Sequence, residues 1–311
     1  MLSIAPTPGL MHSPQPLAPG DEVIVVAPSG PCDPNELWRG IAWLRSRYRV
    51  RLTPRIFERD GYLAGSDARR ASELSGAMLD PAAKAIFAAR GGYGAMRIAR
   101  DLPWREFAGR PKWLVGFSDV TALHASAWAF GVATVHGANV AGLGREPPPI
   151  TRATWIAALE RPGAARVWPG LRVVRGGPEV KGPIIGGNLA VLHALAAARQ
   201  LALPRGCIVA LEDVGEAPYR VDRMLTSLVQ GGYFGGVAAL VFGGFDRCAP
   251  PGIAETAWLD GLVADCTRDL DIPAVAGAPF GHAPRNEAFI VGGQARVSGD
   301  EVHLGCAGTG P

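Results

Sequence analysis

The sequence predicts an α/β protein: an N-terminal domain on a parallel sheet, a C-terminal domain of mixed α/β structure, and an active site in the cleft between them. Three observations lead there. Short β-branched runs alternate with stretches of helical spacing, the pattern of a parallel sheet with helices on both faces. At 311 residues the chain exceeds one ordinary core, so two domains follow. Around Gly144–Pro149 the composition changes to Gly-Arg-Glu-Pro-Pro-Pro, the best linker in the chain, and the elements beyond it mix differently.

The elements read in order as follows. Asp21–Pro28 is a continuous apolar run, a buried opening strand. Asn35–Tyr48 is helical through Leu37, Ile41 and Leu44, and Arg49–Thr53 is the next strand. Ser66–Leu79 is a helix with Ser66 as its cap. Ala85–Ala89 is a strand ending in Arg90-Gly91-Gly92-Tyr93-Gly94, from which a helix runs to about Arg100. Trp113–Phe117 is a strand, Asp119–Phe130 a helix and Val132–Val135 a strand. Past a short helix at Arg152–Leu159, the second region opens near Val180: strand Pro183–Ile185, helix Leu189–Arg199, strand Cys207–Leu211 and helix Tyr219–Val229. Strand Val237–Phe242, helix Ala254–Thr267, strand Pro273–Ala276 and short strands around Phe289, Ala295 and Val302 complete it. The expected division is a flexible leader (1–20), an N-terminal domain (21–146), a linker (147–179) and a C-terminal domain (180–311).

Composition narrows the function. A hydrophobic share of 48% and a charged share of 19% describe a globular chain with ample core material. A net charge of +3, with scattered Lys and Arg, gives no footprint for nucleic acid or an anionic membrane. The long uncharged stretches Val120–Gly144 and Met224–Phe245 are broken by glycines and polar residues, unlike membrane spans. Five dispersed cysteines, without a CxxC pair, suit a reducing compartment, and the Pro-rich first 20 residues make a poor signal peptide. The expected location is the cytoplasm.

Ser118 stands where the Trp113–Phe117 strand hands over to a helix, at the carboxyl end of a sheet and near the positive end of a helix dipole. A serine there is either a nucleophile or an ordinary helix cap. The Arg90–Gly94 turn lacks the Lys-Ser/Thr of a phosphate loop, and Arg97 replaces the third glycine of GxGxxG. Its alternative use is to present a bare N–H: Gly92 and the Asp119 N–H are the candidate oxyanion donors. Of six histidines, His282 lies in a loop dense in Gly and Pro directly after a strand, ahead of His136 as the base. His124, two turns into the helix after Ser118, is expected to point away from the junction. Glu212 and Asp213 end an apolar strand, so that one can orient the imidazole while the other caps the helix after Pro218. No HExxH, paired histidines or cysteine cluster suggests a metal, and no cofactor is expected.

The blocks VVAPSG (25–30), ARGGYGAMR (89–97), GFSDVTALH (116–124), GGNLAVL (186–192), LEDVGEAPYRVDRML (211–225) and GAPFGH (277–282) together resemble the LD-carboxypeptidase family of serine peptidases. That family includes muramoyl-tetrapeptide carboxypeptidase and the microcin C immunity peptidases. The blocks fall in family order over nearly the whole chain. The resemblance implies Ser118 as nucleophile, Glu212 and His282 as its partners, and Gly92 and Asp119 N–H groups as oxyanion hole. It also implies metal independence, a homodimer, and release of terminal D-alanine from a murein tetrapeptide by cleavage of an L,D-peptide bond. Cleavage of a peptidyl or aminoacyl nucleotide is the enzymatic alternative. A two-lobed small-ligand binding protein, with Ser118 only a cap, is the alternative of another class. Two departures stand out: Gly-Ala-Asn follows His136 where relatives often have Gly-Pro, and the segment Ala283–Gly293 after His282 is idiosyncratic. Separately, GFSDV is not the GxSxG elbow, since Val120 replaces the last glycine, which argues against an ordinary α/β-hydrolase.

Overall fold

Alternation of strand and helix carries through the first part of the chain in a computed structural model that describes residues 11–305. The elements are β1 (Glu22–Val26), α1 (Pro34–Arg45), β2 (Arg49–Leu52), α2 (Asp67–Leu79), β3 (Ala85–Ala88), α3 (Ala95–Ile98), α4 (Trp104–Gly109), β4 (Trp113–Gly116), α5 (Thr121–Ala129), β5 (Thr134–His136), α6 (Val140–Leu143) and α7 (Pro149–Glu160). Local chemistry explains their starts. Asp33 accepts the Glu36 N–H at 3.0 Å ahead of Pro34 in the first turn of α1, and Ser66 Oγ accepts the Arg69 N–H at 3.2 Å to begin α2.

The second part continues with β6 (Arg166–Trp168), β7 (Arg172–Arg175), β8 (Val180–Asn188), α8 (Leu189–Ala197), β9 (Ile208–Val214), α9 (Pro218–Gln230), β10 (Ala239–Asp246), α10 (Glu255–Cys266) and β11 (Ala274–Ala276). Three strands close it: β12 (Phe289–Val291), β13 (Gly293–Ser298) and β14 (Glu301–Leu304). No helix among the described residues is long and apolar enough to cross a membrane.

The chain divides into two units, one running to Pro162 and taking back Glu287–Ile290, the other comprising Gly163–Asn286 and the chain from Val291 on. In the first, six strands lie in the order β12-β5-β4-β3-β1-β2, and β2, β1, β3, β4 and β5 are all parallel. Strand order reverses between β1 and β3, so the loops leaving those two strands diverge and open a crevice at the carboxyl edge. The core includes Val23, Val25, Phe87, Trp113, Val115 and Trp155, with the Trp155 ring edge-on to Phe87 at 4.8 Å.

In the other unit eight strands run β6-β14-β13-β8-β9-β10-β11-β7. Its centre, β8 to β11, is parallel, and antiparallel strands flank it on both sides. The β9–β10 register shifts between Phe242 and Phe245, opposite Glu212. This bulge at Gly243-Gly244 locally bends β10.

Three sequence expectations need correction here. The span 147–179 is not a linker, since α7 belongs to the first unit and β6 and β7 to the second sheet. Helix α7 is held by Glu160, which accepts from Tyr48 Oη at 2.6 Å and pairs with Arg47, and by Trp155 Nε1 donating to the Ala138 carbonyl at 3.1 Å. The prolines that suggested a linker instead start this helix, where a missing N–H costs nothing. Residues 11–20 of the expected flexible leader are bonded to the first unit. His12 N–H donates to the Gly131 carbonyl at 2.7 Å, Trp113 Nε1 donates to the Gln15 carbonyl at 2.9 Å, and Leu17 is buried. The rest of the leader, and Cys306 onward, lie outside the described residues. Finally, the helix expected from Asp119 begins as one 3₁₀ turn, Ser118–Val120, before α5.

Candidate active site

The turn after β4 is not a helix cap. Phe117 is extended, and Ser118 then takes φ +63°, the left-handed region that a residue with a Cβ enters at a cost of about 1–3 kcal/mol. The Ser118 side chain caps no N–H; the 3₁₀ turn and α5 start without a side-chain cap. The strained backbone instead holds up a part-exposed hydroxyl at the carboxyl end of a central parallel strand. The cap reading of Ser118 therefore fails.

Neighbouring groups over-determine the strained turn. Asn139 Oδ1 accepts the Phe117 N–H at 3.3 Å, and His124 Nε2 bonds the Gly116 carbonyl at 2.9 Å. His124 therefore points back at the strand end just before Ser118, contrary to expectation. Burial pushes its pKa down to about 4, so the ring is neutral and its Nε2–H donates. The Asp119 carboxylate is also buried, and Oδ2 accepts the Ala95 N–H at 2.8 Å, tying the Ser118 turn to the start of α3. Burial raises the Asp119 pKa, opposed by the N–H groups of Ala95 and Gly94 and by the Arg70 charge.

The glycine turn after β3 presses against Ser118. A Cβ on Gly91 would stand 2.9 Å from Ser118 Cβ and 3.2 Å from its Oγ. Sequence reasoning singled out Gly92 and missed Gly91 as the closer contact; the only local sign was the double glycine itself. Gly92 has φ +107° and is exposed, and neither its N–H nor that of Asp119 makes a backbone hydrogen bond among the described residues. Both are thus available to an incoming oxygen. Gly91→Ala should displace the Ser118 side chain and cut kcat by at least about 100-fold with a small change in melting temperature, measurable by steady-state kinetics and thermal denaturation.

In the other unit, His282 Nδ1 lies 2.7 Å from Glu212 Oε2. Glu212 is fully buried near the end of β9, and His282 follows β11 in the Gly277–His282 loop. The bulge in β10 makes room for that loop. Gly244 N–H donates to the Phe280 carbonyl at 2.9 Å, and a Cβ on Gly243 would stand 2.4 Å from the same oxygen. Gly281, at φ +129°, lets the backbone pass Glu212, whose Cβ would be 3.3 Å from an added methyl. Because Nδ1–H donates to the carboxylate, Nε2 is the basic nitrogen of the neutral ring.

Burial, the largest single influence on His282, pushes its pKa down, but the Glu212 hydrogen bond and the charges of Glu212, Asp213 and Asp246 outweigh it and the net shift is upward. If His282 acts as the expected base, activity is lost as pH falls through its raised pKa. The acid limb of kcat/KM should therefore have its midpoint above about 6.5, the ordinary histidine value, and Glu212→Gln should move that midpoint down.

Asp213 behaves otherwise than expected. Its Oδ1 accepts Asn188 Nδ2 at 2.9 Å and the Val214 N–H at 2.8 Å, and its Oδ2 accepts the Ala190 N–H at 2.9 Å. It thus anchors the start of α8 rather than α9, whose own cap, Ala217, contributes no side-chain bond. Burial and then the adjacent Glu212 charge raise the Asp213 pKa to about 6. His136, second in line as base, is buried and stacks on Phe289 at 4.8 Å. Among the described residues no three His, Cys, Asp or Glu side chains gather in the manner of metal ligands.

Comparison with known proteins follows the same division. A family model described as the LD-carboxypeptidase N-terminal domain matches residues 23–137, and one described as the LD-carboxypeptidase C-terminal domain matches 181–297. The murein tetrapeptide carboxypeptidase of Pseudomonas aeruginosa is 31% identical over 250 residues, covering 78% of this chain and 81% of its own. The crystal structure of muramoyltetrapeptide carboxypeptidase from Oxalobacter formigenes superposes with a TM-score of 0.81 at 29% identity, over 91% of this chain and 97% of the other. The microcin C7 self immunity protein in complex with glutamyl sulfamoyl guanosine superposes with a TM-score of 0.82 at 21% identity, over 95% and 98%, a likeness of fold alone.

Proposed function

The chain belongs to the LD-carboxypeptidase family and is a peptidase, and from that premise we propose a serine carboxypeptidase that removes a terminal D-alanine from a murein tetrapeptide. In this reading Ser118 Oγ attacks the carbonyl of the L,D-peptide bond while His282 Nε2 takes its proton. Glu212 holds the imidazole and stabilises its protonated form. The Gly92 and Asp119 N–H groups take the oxyanion, the imidazolium returns its proton to the leaving amine, and water then releases the acyl group. The observation that carries the reading is the left-handed Ser118, whose strained backbone serves no cap and is held in place by Gly91, Asn139 and Asp119. Support for the substrate comes from the relatives' names. The same reading expects a cytoplasmic homodimer working in cell-wall recycling.

The test has two arms. A fluorophosphonate probe should label Ser118 in the wild type and fail in His282→Ala, because the reading requires that imidazole to activate the hydroxyl. A tetrapeptide ending in D-alanine should then be hydrolysed faster than an aminoacyl nucleotide. Labelling that survives His282→Ala would remove His282 as the base, and preference for the nucleotide would assign the substrate to the immunity-peptidase side of the family.

A further inference from the structure

An enzyme that releases one residue from a C-terminus has to recognise a carboxylate very close to the bond it cuts. Only three covalent bonds, at most about 4 Å, separate the scissile carbonyl carbon from the carboxylate carbon of the leaving residue. A cation that reads this carboxylate must therefore stand beside the oxyanion donors. We propose that Arg90 is that cation and that it confines the activity to chains with a free terminal carboxylate. The proposal rests on the reading of Ser118, Gly92 and Asp119 given above.

Three arginines surround the turn after β3, and two are committed. Arg70 is buried, donates to the Pro28 carbonyl and, at 2.8 Å, to that of Gly94, and pairs with Asp67. Arg97 also binds Asp67, with its Nη2 at 2.7 Å. Arg90 is exposed, and among the described residues it has no carboxylate partner. One of its five N–H groups is spent, Nη1 donating to the Pro31 carbonyl at 2.7 Å, which aims the guanidinium and leaves donors for a bidentate carboxylate. Two nearby acids are occupied elsewhere: Asp33 accepts the Glu36 N–H at 3.0 Å, and Glu36 pairs with Arg145 at 2.9 Å.

Its position is the second argument. Arg90 and Gly30 leave β3 and β1, the two strands between which the order reverses, where parallel sheets of this kind take their ligands. Nη1 lies 3.3 Å from where a Cβ on Gly30 would be and 3.8 Å from one on Gly92. The guanidinium thus borders both bare backbones, next to the N–H assigned to the oxyanion. Gly30 N–H donates to the Gly91 carbonyl at 3.0 Å, so beside the guanidinium the two turns are joined backbone to backbone, with no Cβ on either glycine.

A purely structural Arg90, strapping Pro31 to the turn, would lower activity on every substrate alike. Recognition predicts selectivity instead. The experiment compares kcat/KM for a tetrapeptide ending in D-alanine with that for the same peptide as its C-terminal amide, in wild type, Arg90→Gln and Arg90→Lys. The wild type should prefer the acid strongly, and Arg90→Gln should collapse the acid-to-amide ratio by on the order of 100-fold, mostly through KM. Arg90→Lys, which keeps the charge but loses the planar fork, should fall between and guards against a Gln variant that fails to fold. An unchanged ratio in a variant still labelled at Ser118 by fluorophosphonate overturns Arg90 alone. A wild type that cleaves neither peptide overturns Arg90 and the carboxypeptidase reading together.

Discussion

Ser118→Ala is expected to lower kcat on a D-alanine-terminated tetrapeptide by roughly 10⁴- to 10⁶-fold, since a nucleophile and its base act as one unit. The fold should be unaffected, because the hydroxyl caps nothing and alanine keeps the left-handed strain. Ser118→Gly provides a control with an independent readout. It should be equally inactive yet more stable by about 1 kcal/mol, because glycine adopts φ +63° without a Cβ clash. Thermal denaturation of the two variants side by side measures the strain directly. Near wild-type turnover by Ser118→Ala would end the nucleophile assignment, and a less stable Ser118→Gly would mean that the turn stores no strain.

The second large effect separates two adjacent acids. Glu212→Gln should lower kcat by up to about 10⁴-fold, since a neutral amide no longer stabilises the imidazolium and can present the wrong group to Nδ1. It should leave the melting temperature almost unchanged, because it also removes a charge from a fully buried position. Asp213→Asn should do the reverse. An amide accepts through only one of the two oxygens that now serve Asn188, Val214 and Ala190. The loss should be about 1–2 kcal/mol, with kcat reduced only a few-fold. Kinetics and melting curves of both variants decide it, and the opposite pairing would move the acid by one residue.

Much of the fold, and the position of each candidate residue in it, is legible in the amino-acid sequence. The apolar runs, their glycine and proline boundaries and the helical spacings place the strands that carry Ser118 and Glu212 to within a few residues, because short-range patterning reflects which face of each element is buried. Position at a strand end selects Ser118 and the Glu212–Asp213 pair, and a loop rich in Gly and Pro selects His282. Family resemblance then chooses between the two acids, a choice that alternation along a strand supports, since neighbours point to opposite faces.

What escapes the sequence depends on partners far along the chain. Asp213 meets Ala190, 23 residues earlier, so its role at α8 is invisible beside the nearer helix α9. The bulge opposite Glu212 exists because β10 has to admit the loop around Phe280. A serine before a helix carries the same local signal whether it caps or is strained. Only the tertiary structure decided for the strained form, because Gly91, Asn139 and Ala95 come from the segments that follow β3 and β5, and with Asp119 they hold a backbone that Ser118 alone would not adopt. By itself the sequence determined which residue types stand at the strand ends, since burial patterning is local. The conformation and direction of those residues were decided by packing between elements distant in the chain.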